Sequence, residues 1–470
     1  MRSLVLVAAA AFFSLSPADA KTIALAHVTA IDVEDGTRRD DQTLIIKDGK
    51  IVKIGPSAAV APPAGSEIVD GSGKFLIPGL WDMHVHSHRE ERWKYHYPLF
   101  LAHGVLGVRD AGSHLGSALA AMEWTKRNPI APHIVWGSPI IDGAPQINSF
   151  GLSAEDAPSA RILVREMKRY GFDFVKSYDR LTPEAYFALA DEARKQKIPL
   201  EGHVPLSLTP KDAIAAGQTV IDHLTLVVEA CSPPALALIR EEYAKAPREA
   251  ESLGLLMNAT IVDAFADIDM AACRPLFEEF AAHGVWQVPT LVQMRGFFHA
   301  DDPEVSSDAR IAFAPPAIAA EWKEWSETAD RRELAIGKKA FAAQLAAMRA
   351  MQDAGVGILA GTDASNEAYV FAGAGVHDEL TLMVDAGLTP LEALQTATIN
   401  PLLYLGRTSS APVISKGEPA DLILLDADPL EDIANTTSIS GVFAHGDYLD
   451  RSALDALLET AKAEAAKKED

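Results

Sequence analysis

Two histidines, His84 and His86, have the residue type and the spacing that could bind a metal ion. They end the stretch 80–86, which follows an apolar run and a Pro-Gly turn and has the pattern of a short buried strand. Side chains two residues apart on a strand point to the same side, so both imidazoles project together while Val85 turns away. Such a pair is half of a site for a first-row metal ion. Two histidines alone are weak evidence, so the prediction depends on further ligands elsewhere in the chain.

Four later segments supply candidate ligands. Each is a short apolar run that ends in one ionisable residue, and in chain order these residues are Lys176, His203, His223 and Asp363. In a closed parallel barrel the catalytic groups lie at the C-terminal ends of the strands. The repeated pattern therefore predicts that these side chains meet at one end of a barrel.

The His-x-His pair, the later lysine, the two single histidines and the closing Gly-Thr-Asp at 361–363 together resemble the amidohydrolase superfamily of metal-dependent hydrolases. The resemblance implies an α/β fold, a (β/α)8 TIM barrel, over most of the chain. Four imidazoles, one lysine and one carboxylate suit two divalent ions of the zinc type. By resemblance, His84, His86 and Asp363 hold the more buried ion, and His203 and His223 hold the other.

The lysine needs a chemical change before it can serve as a ligand, because a protonated amine cannot bind a cation. In this superfamily a barrel lysine at this place often carries CO2 as a carbamate, so the resemblance implies that a carboxylated Lys176 bridges the two ions. Carbamate formation requires a neutral amine, which burial inside a barrel favours. The alternative is a structural or substrate-binding lysine beside a single ion.

The expected reaction is hydrolysis through a metal-bridging hydroxide, because two ions lower the pKa of a bridging water and polarise a carbonyl oxygen. Asp363 would accept the proton and pass it to the leaving nitrogen. Tyr178, two residues after Lys176, could donate to the developing oxyanion, or it could only line the mouth of the site. Arg109 and Arg295 could bind a substrate carboxylate, or each could be a salt-bridge partner.

Two further motifs indicate the substrate class, because they resemble one branch of this superfamily. The Gly-His-Val-Pro at 202–205 and the run 386–394 resemble the branch that holds imidazolonepropionase-like proteins and prolidase-type dipeptidases. We therefore expect the chain to cleave an amide bond of a dipeptide or an N-acyl amino acid. A cyclic amide or lactone hydrolase is the alternative among enzymes, while a deaminase fits less well because those sites usually hold one ion and lack the bridging lysine. A metal-free binding protein on the same fold is the alternative from another class, although all six ligand positions are filled.

The elements that must position these residues alternate between strand-like and helical runs from residue 76 to 404. Eight runs are candidate barrel strands: 80–86, 104–108, 133–136, 172–176, 199–203, 218–223, 285–290 and 356–360. Helical stretches such as 160–170, 183–197 and 390–398 separate them. The run 317–353, which holds Trp322 and Trp325, is expected to form a helical cap near the mouth of the site or, alternatively, a barrel helix with an extended end.

The two ends of the barrel segment continue into β structure, at 21–75 and 405–455. Two apolar-rich runs flank Asp48-Gly49, a dipeptide that is typical of a two-residue hairpin turn. The family resemblance implies that both terminal pieces join into one small β-sandwich domain beside the barrel.

Residues 1–20 have the features of a secretory signal peptide: Arg2, an apolar core at 4–15 and the small-residue site Ala18-Asp19-Ala20. We expect cleavage after Ala20 and a periplasmic or secreted mature protein; an uncleaved membrane anchor is the alternative. Export permits disulfides, so Cys231 and Cys273 could pair, and their spacing matches no metal-binding cysteine motif.

The composition and net charge of the chain limit the classes of partner that it can bind. A chain of 470 residues with 48% hydrophobic content can bury one barrel and a small second domain. Its net charge of −23 argues against nucleic acid and against an anionic membrane surface as partners. A small-molecule substrate remains the expected partner, and the sequence leaves open whether the chain forms a homo-oligomer.

Overall fold

The computed structural model describes residues 21–128, 131–148, 150–224, 226–245, 258–364, 368–407 and 413–467. The expected signal peptide, 1–20, lies outside the described residues. Within them, we find no helix with both the length and the apolar character that crossing a membrane requires.

Strands from both ends of the chain form one eight-stranded sheet. Its members are Thr22–Ile31, Arg38–Lys47, Lys50–Pro56, Glu67–Asp70, Phe75–Pro78, Leu422–Leu425, Ile439–Ala444 and Asp447–Asp450. The two ends of the chain meet where Leu422–Leu425 pairs antiparallel with Phe75–Pro78. The predicted union of the terminal segments beside the barrel is therefore confirmed. The predicted hairpin is also present, and Asp48 and Gly49 have the positive φ angles, 52° and 71°, that a primed two-residue turn requires.

The barrel is a ring of parallel strands that the structure builds from two sheets. Seven regular strands contribute: Leu80–Val85, Val105–Asp110, His133–Trp136, Val175–Ser177, Leu200–Gly202, Val220–Asp222 and Trp286–Val288. A parallel bridge between Gly137 and Phe174 joins the third strand to the fourth. Two short strands, Ile141–Asp142 and Leu152–Ser153, extend the second sheet beside the fourth. The predicted (β/α)8 architecture is confirmed.

The eighth barrel strand is an irregular extended segment that closes the ring by single contacts. Ile358 pairs with Gln287 of the seventh strand, and Ala364 pairs with Val85 of the first. The N–H of Met83 donates to the carbonyl of Ala360 at 2.8 Å. Gly361 permits this close approach, because a Cβ there would lie 2.9 Å from the Cβ of His84.

Helices surround the ring and connect its strands, and several begin at a strong N-cap. Asp156, Thr209 and Thr389 each start a helix with a capping box, followed by proline in the first turn. The helices are Trp93–Ala102, Leu115–Thr125, Ala157–Tyr170, Pro183–Gln196, Pro210–Ala216, Pro233–Lys245, Ala259–Phe265, Arg274–His283, Leu291–Phe298, Pro303–Ser306, Pro316–Thr328, Arg331–Asp353, Ala374–Asp385, Pro390–Thr396, Ile399–Tyr404 and Arg451–Ala465.

The run predicted as one long helix, 317–353, is two helices, Pro316–Thr328 and Arg331–Asp353. The break lies at Asp330, whose carboxylate accepts the N–H of Arg332 at 2.6 Å and starts the second helix. Trp322 of the first helix packs in a separate apolar cluster with Tyr369 and Phe371, which follow the eighth strand. The second helix packs into the barrel core. Each of the two alternatives therefore describes one part of the run.

A disulfide joins Cys231 to Cys273. It links the turn after the sixth barrel strand to the start of helix Arg274–His283, and both cysteines are buried. The sequence had left this pairing open.

Candidate active site

Six side chains meet at the C-terminal ends of five barrel strands. His84 and His86 end the first strand, Lys176 lies in the fourth, His203 and His223 follow the fifth and sixth, and Asp363 lies near the end of the eighth strand segment, 358–364. Five of the six are buried, with exposed fractions between 0% and 9%, and His223 is half-buried. The imidazole of His223 lies 4.5 Å from that of His84 and 4.8 Å from that of His203, centroid to centroid. The strand-end pattern in the sequence thus gathers these residues in one place.

Three of these side chains converge on one point. The Oδ1 of Asp363 lies 3.4 Å from the Nε2 of His84 and 3.2 Å from the Nε2 of His86, and the two nitrogens are 3.4 Å apart. The Nδ1 of His86 lies 2.6 Å from the carbonyl of Gly112, which can only accept a hydrogen bond. The proton therefore sits on Nδ1, and the lone pair of Nε2 faces a carboxylate oxygen. A cation between these two electron-rich atoms would satisfy both of them.

The electrostatics of this group suit a divalent metal ion. Burial lowers the pKa of His84 to about 4, so its imidazole is neutral at neutral pH, as metal binding requires. Burial alone would raise the pKa of Asp363, but the surrounding imidazoles lower it below its ordinary value, so the side chain is a carboxylate. Two imidazoles and one carboxylate, all with ligand atoms within 4.8 Å of one another, fit a divalent ion.

Each imidazole of the ring has a partner for its Nδ1 atom, which leaves Nε2 available as a ligand. The four pairs are His84 with Asp222 at 3.2 Å, His86 with the Gly112 carbonyl at 2.6 Å, His203 with Asp179 at 2.7 Å, and His223 with Thr290 at 2.8 Å. Sequence reasoning missed all four partners. Asp179 and Asp222 lie one to three residues from predicted site residues and could have been suspected, whereas Gly112 and Thr290 carry no such signal.

Lys176 lies in the fourth barrel strand and is 1% exposed. Its Nζ donates a hydrogen bond to the carboxylate of Asp222. Burial lowers the pKa of Lys176, although Asp222 acts in the opposite direction. Since a carbamate forms only from a neutral amine, this environment fits the predicted modification.

Tyr178 lies just after the fourth strand, and its ring packs on the imidazole of His203 with centroids 4.2 Å apart. Burial raises the pKa of Tyr178 well above its ordinary value, so its hydroxyl keeps its proton. The placement suits both readings of this residue, as an oxyanion donor and as part of the wall of the site.

Arg109 is placed differently from what the sequence suggested. It is fully buried inside the barrel, where its Nε donates to Glu201 at 2.8 Å and its Nη1 to the carbonyl of Met83 at 2.9 Å and to Asp222 at 3.3 Å. Tyr404 donates to the other oxygen of Glu201 at 2.7 Å. The expectation that Arg109 holds a substrate carboxylate is wrong in this structure, because its guanidinium is already bound to buried carboxylates. The salt-bridge alternative describes it.

We expect Arg109→Met to lower the free energy of unfolding by about 3–5 kcal/mol, because it leaves the buried carboxylate of Glu201 without its ionic partner. Arg295→Met is the matched control and should change this free energy by less than about 0.5 kcal/mol. Urea unfolding of both variants measures the difference. If Arg109→Met unfolds like the wild type and only raises the KM of a carboxylate substrate, the structural assignment fails.

Arg295 lies on helix Leu291–Phe298 and directs its charge to Asp378, with Nη2 3.7 Å from a carboxylate oxygen. Asp378 also binds Arg310 at 2.9 Å. This position supports the salt-bridge alternative, and a contact of Arg295 with substrate stays a prediction.

The family model described as the amidohydrolase family matches residues 75–449, which is most of the chain. The chain belongs to the amidohydrolase family. An imidazolonepropionase of Deinococcus deserti is 24% identical over 424 residues, which cover 86% of this chain and 90% of that protein. A dihydroorotase of Pelotomaculum thermopropionicum is 43% identical, but over only 58 residues, 12% of this chain and 13% of that protein.

Two solved structures share the fold. Bottromycin amidohydrolase superimposes with a TM-score of 0.72 at 23% identity, covering 95% of this chain and 91% of the other. A Xaa-Pro dipeptidase with methionine bound in its active site gives a TM-score of 0.65 at 17% identity, covering 92% of this chain and all of the other. At these identities the likeness shows the fold alone. Together with the family model, it confirms that the chain is an amidohydrolase-family hydrolase on a TIM barrel with a terminal β-sheet.

Proposed function

We propose that this amidohydrolase uses two divalent metal ions, zinc in the first instance, to hydrolyse the amide bond of a dipeptide or an N-acyl amino acid. The observation that carries the proposal is the ring of six side chains, in which two imidazole lone pairs and a carboxylate oxygen face one another within 3.4 Å. His84, His86 and Asp363 would hold one ion, and His203 and His223 the other. A carboxylated Lys176, which is 1% exposed in the fourth strand, would bridge them.

The ions would supply Lewis acidity and a water of lowered pKa. Side chains of the protein would transfer the proton and stabilise the developing negative charge. Asp363 is ionised and points its Oδ1 into the ring, so it can take a proton from the attacking water and pass it to the leaving nitrogen. The protonated hydroxyl of Tyr178, beside His203, can donate to the oxyanion that develops on the carbonyl.

The choice of a linear amide rests on the branch resemblance in the sequence, and a Xaa-Pro dipeptidase is among the solved structures that share the fold. A cyclic amide or lactone is the second candidate, and the imidazolonepropionase relative over 86% of the chain is what favours it.

A substrate panel tests the proposal. Metal-depleted protein is supplied with Zn, Mn or Co and offered dipeptides, N-acyl amino acids, cyclic amides and lactones of matched size. We expect turnover of linear amides with metal and none with chelator. Turnover of cyclic substrates alone would replace the proposed substrate class by the second candidate. Metal-independent turnover would refute the proposed chemistry.

We further propose that the protein is exported, as the features of residues 1–20 predict. The disulfide between Cys231 and Cys273 supports this, because disulfides form and persist in oxidising compartments. The first strand begins at Thr22, directly after the expected cleavage site. Mass spectrometry of the protein from its own host should give a mature N-terminus at Lys21. An intact Met1 would contradict export by this route.

A further inference from the structure

The seventh barrel strand, Trp286–Val288, supplies none of the six predicted ligands, yet the segment after it touches one ligand of each proposed ion. The hydroxyl of Thr290 lies 2.8 Å from the Nδ1 of His223. The side-chain amide of Gln293 donates to the Oδ2 of Asp363 at 2.9 Å. In addition, the backbone N–H of His223 donates to the carbonyl of Val288 at 2.8 Å.

Backbone hydrogen bonds and apolar packing hold the segment 290–293 in place. The N–H groups of Leu291 and Val292 donate to the two carboxyl oxygens of Glu379, at 3.0 and 2.8 Å. Thr290, Leu291 and Glu379 are each 0% exposed. The side chains of Leu291 and Val292 pack into the main apolar core. A segment fixed by both its backbone and its side chains can hold its two polar groups in place.

The two contacts have separate effects on the ligands. Gln293 binds the Oδ2 of Asp363 and thereby fixes the rotation of the carboxylate, so that Oδ1 faces the Nε2 atoms of His84 and His86. Thr290 binds the Nδ1 of His223 and thereby fixes the rotation of this imidazole, whose centroid lies 4.5 Å from that of His84 and 4.8 Å from that of His203. Partners of this kind orient a ligand before the metal arrives.

We propose that Thr290 and Gln293 are positioning residues, one for each metal site, and that the segment 290–293 sets the placement of the two sites relative to each other. The inference rests on the proposed binuclear function. Neither residue would touch substrate or metal; each would act through the ligand that it holds.

The test measures metal affinity directly. Thr290→Val and Gln293→Leu keep the approximate size of each side chain and remove its polar group. Zinc is titrated against a chromophoric chelator to obtain both dissociation constants. We expect each variant to weaken one ion by about 10- to 100-fold and the other much less. Thr290→Ser keeps the hydroxyl and should bind like the wild type. Gln293→Glu also keeps the size of the side chain, but it places a second carboxylate against Asp363 and should weaken zinc at least as much as Gln293→Leu.

Two matched controls remove equivalent hydrogen bonds outside the site. Thr436 binds the Nδ1 of His377 at 2.9 Å, and Gln395 donates to the carbonyls of Val33 and Glu34 at 2.9 and 3.0 Å. Thr436→Val and Gln395→Leu should leave both zinc dissociation constants within about threefold. Thermal unfolding of the metal-free proteins corrects for any loss of fold.

A background variant assigns each effect to an ion. In His203→Ala, which lacks a ligand of the second ion, Thr290→Val should cause no further loss, whereas Gln293→Leu should still weaken the remaining ion. The inference alone would be overturned if the wild type binds two ions and the Thr290 and Gln293 variants keep both zinc dissociation constants within threefold. The proposed function would survive that result. A wild type that binds fewer than two ions would overturn the proposed function and this inference with it.

Discussion

Lys176→Ala should lose most of the bound metal and nearly all hydrolytic activity. Lys176 is 1% exposed, and burial lowers the pKa of its amine, which favours the neutral amine that carbamate formation requires. The carbamate would then be the anionic bridge between the two ions. Without it, His203 and His223 offer only two imidazoles to the second ion. Metal analysis and turnover on the same preparation measure both losses.

The fold of Lys176→Ala should survive, because Asp222 keeps its contacts with Arg109 at 3.3 Å and His84 at 3.2 Å. Addition of a small carboxylic acid should restore part of the metal and part of the activity, since it can occupy the space of the carbamate. Lys211→Ala, a surface lysine paired only with Glu279 among the described contacts, is the control. A Lys176→Ala enzyme with two ions and near-normal turnover would show that Lys176 is no ligand.

Asp363→Asn should reduce kcat by about 10²- to 10⁴-fold, the range that general base catalysis typically supplies. Asparagine keeps the shape and an oxygen donor but loses the charge and the basicity. Metal should be retained in part, because five other ligands remain. Metal content, melting temperature and kcat are measured on one preparation.

The alternative for Asp363 is a purely structural role, since its N–H donates to the carbonyl of His84 at 2.8 Å and closes the barrel there. That bond involves only backbone atoms and survives the substitution. Asp421→Asn is the matched control, because Asp421 binds the Nε2 of His133 at 2.9 Å outside the ring of six side chains. A folded, metal-loaded Asp363→Asn enzyme with turnover within a few fold of the wild type would refute the assignment.

The six candidate ligands could be predicted because each is identified by the few residues next to it in the sequence. A single ionisable residue at the end of an apolar run identifies a strand end, and a parallel barrel brings all strand ends to one face. Asp330, with Glu333 three residues later, is also a sequence signal for the start of a helix. It predicts that the run 317–353 divides into two helices, as the structure has it.

The role of Arg109 could not be predicted in this way. Its position near the end of the second strand does not reveal whether the side chain turns to the mouth or to the interior of the barrel. The answer depends on Glu201 and Asp222, which lie 92 and 113 residues away in the chain. The same limit applies to Thr290 and Gly112, since a hydroxyl and a backbone carbonyl become partners of imidazoles only once distant strands are adjacent.

A metal titration decides whether two divalent ions in this ring carry out amide hydrolysis. Metal-depleted protein receives increasing amounts of zinc while the hydrolysis of one linear amide substrate is followed. If two ions carry out the reaction, turnover is absent without metal and rises until two equivalents of zinc are present per chain. A rise that ends at one equivalent, or full turnover without metal, would contradict it.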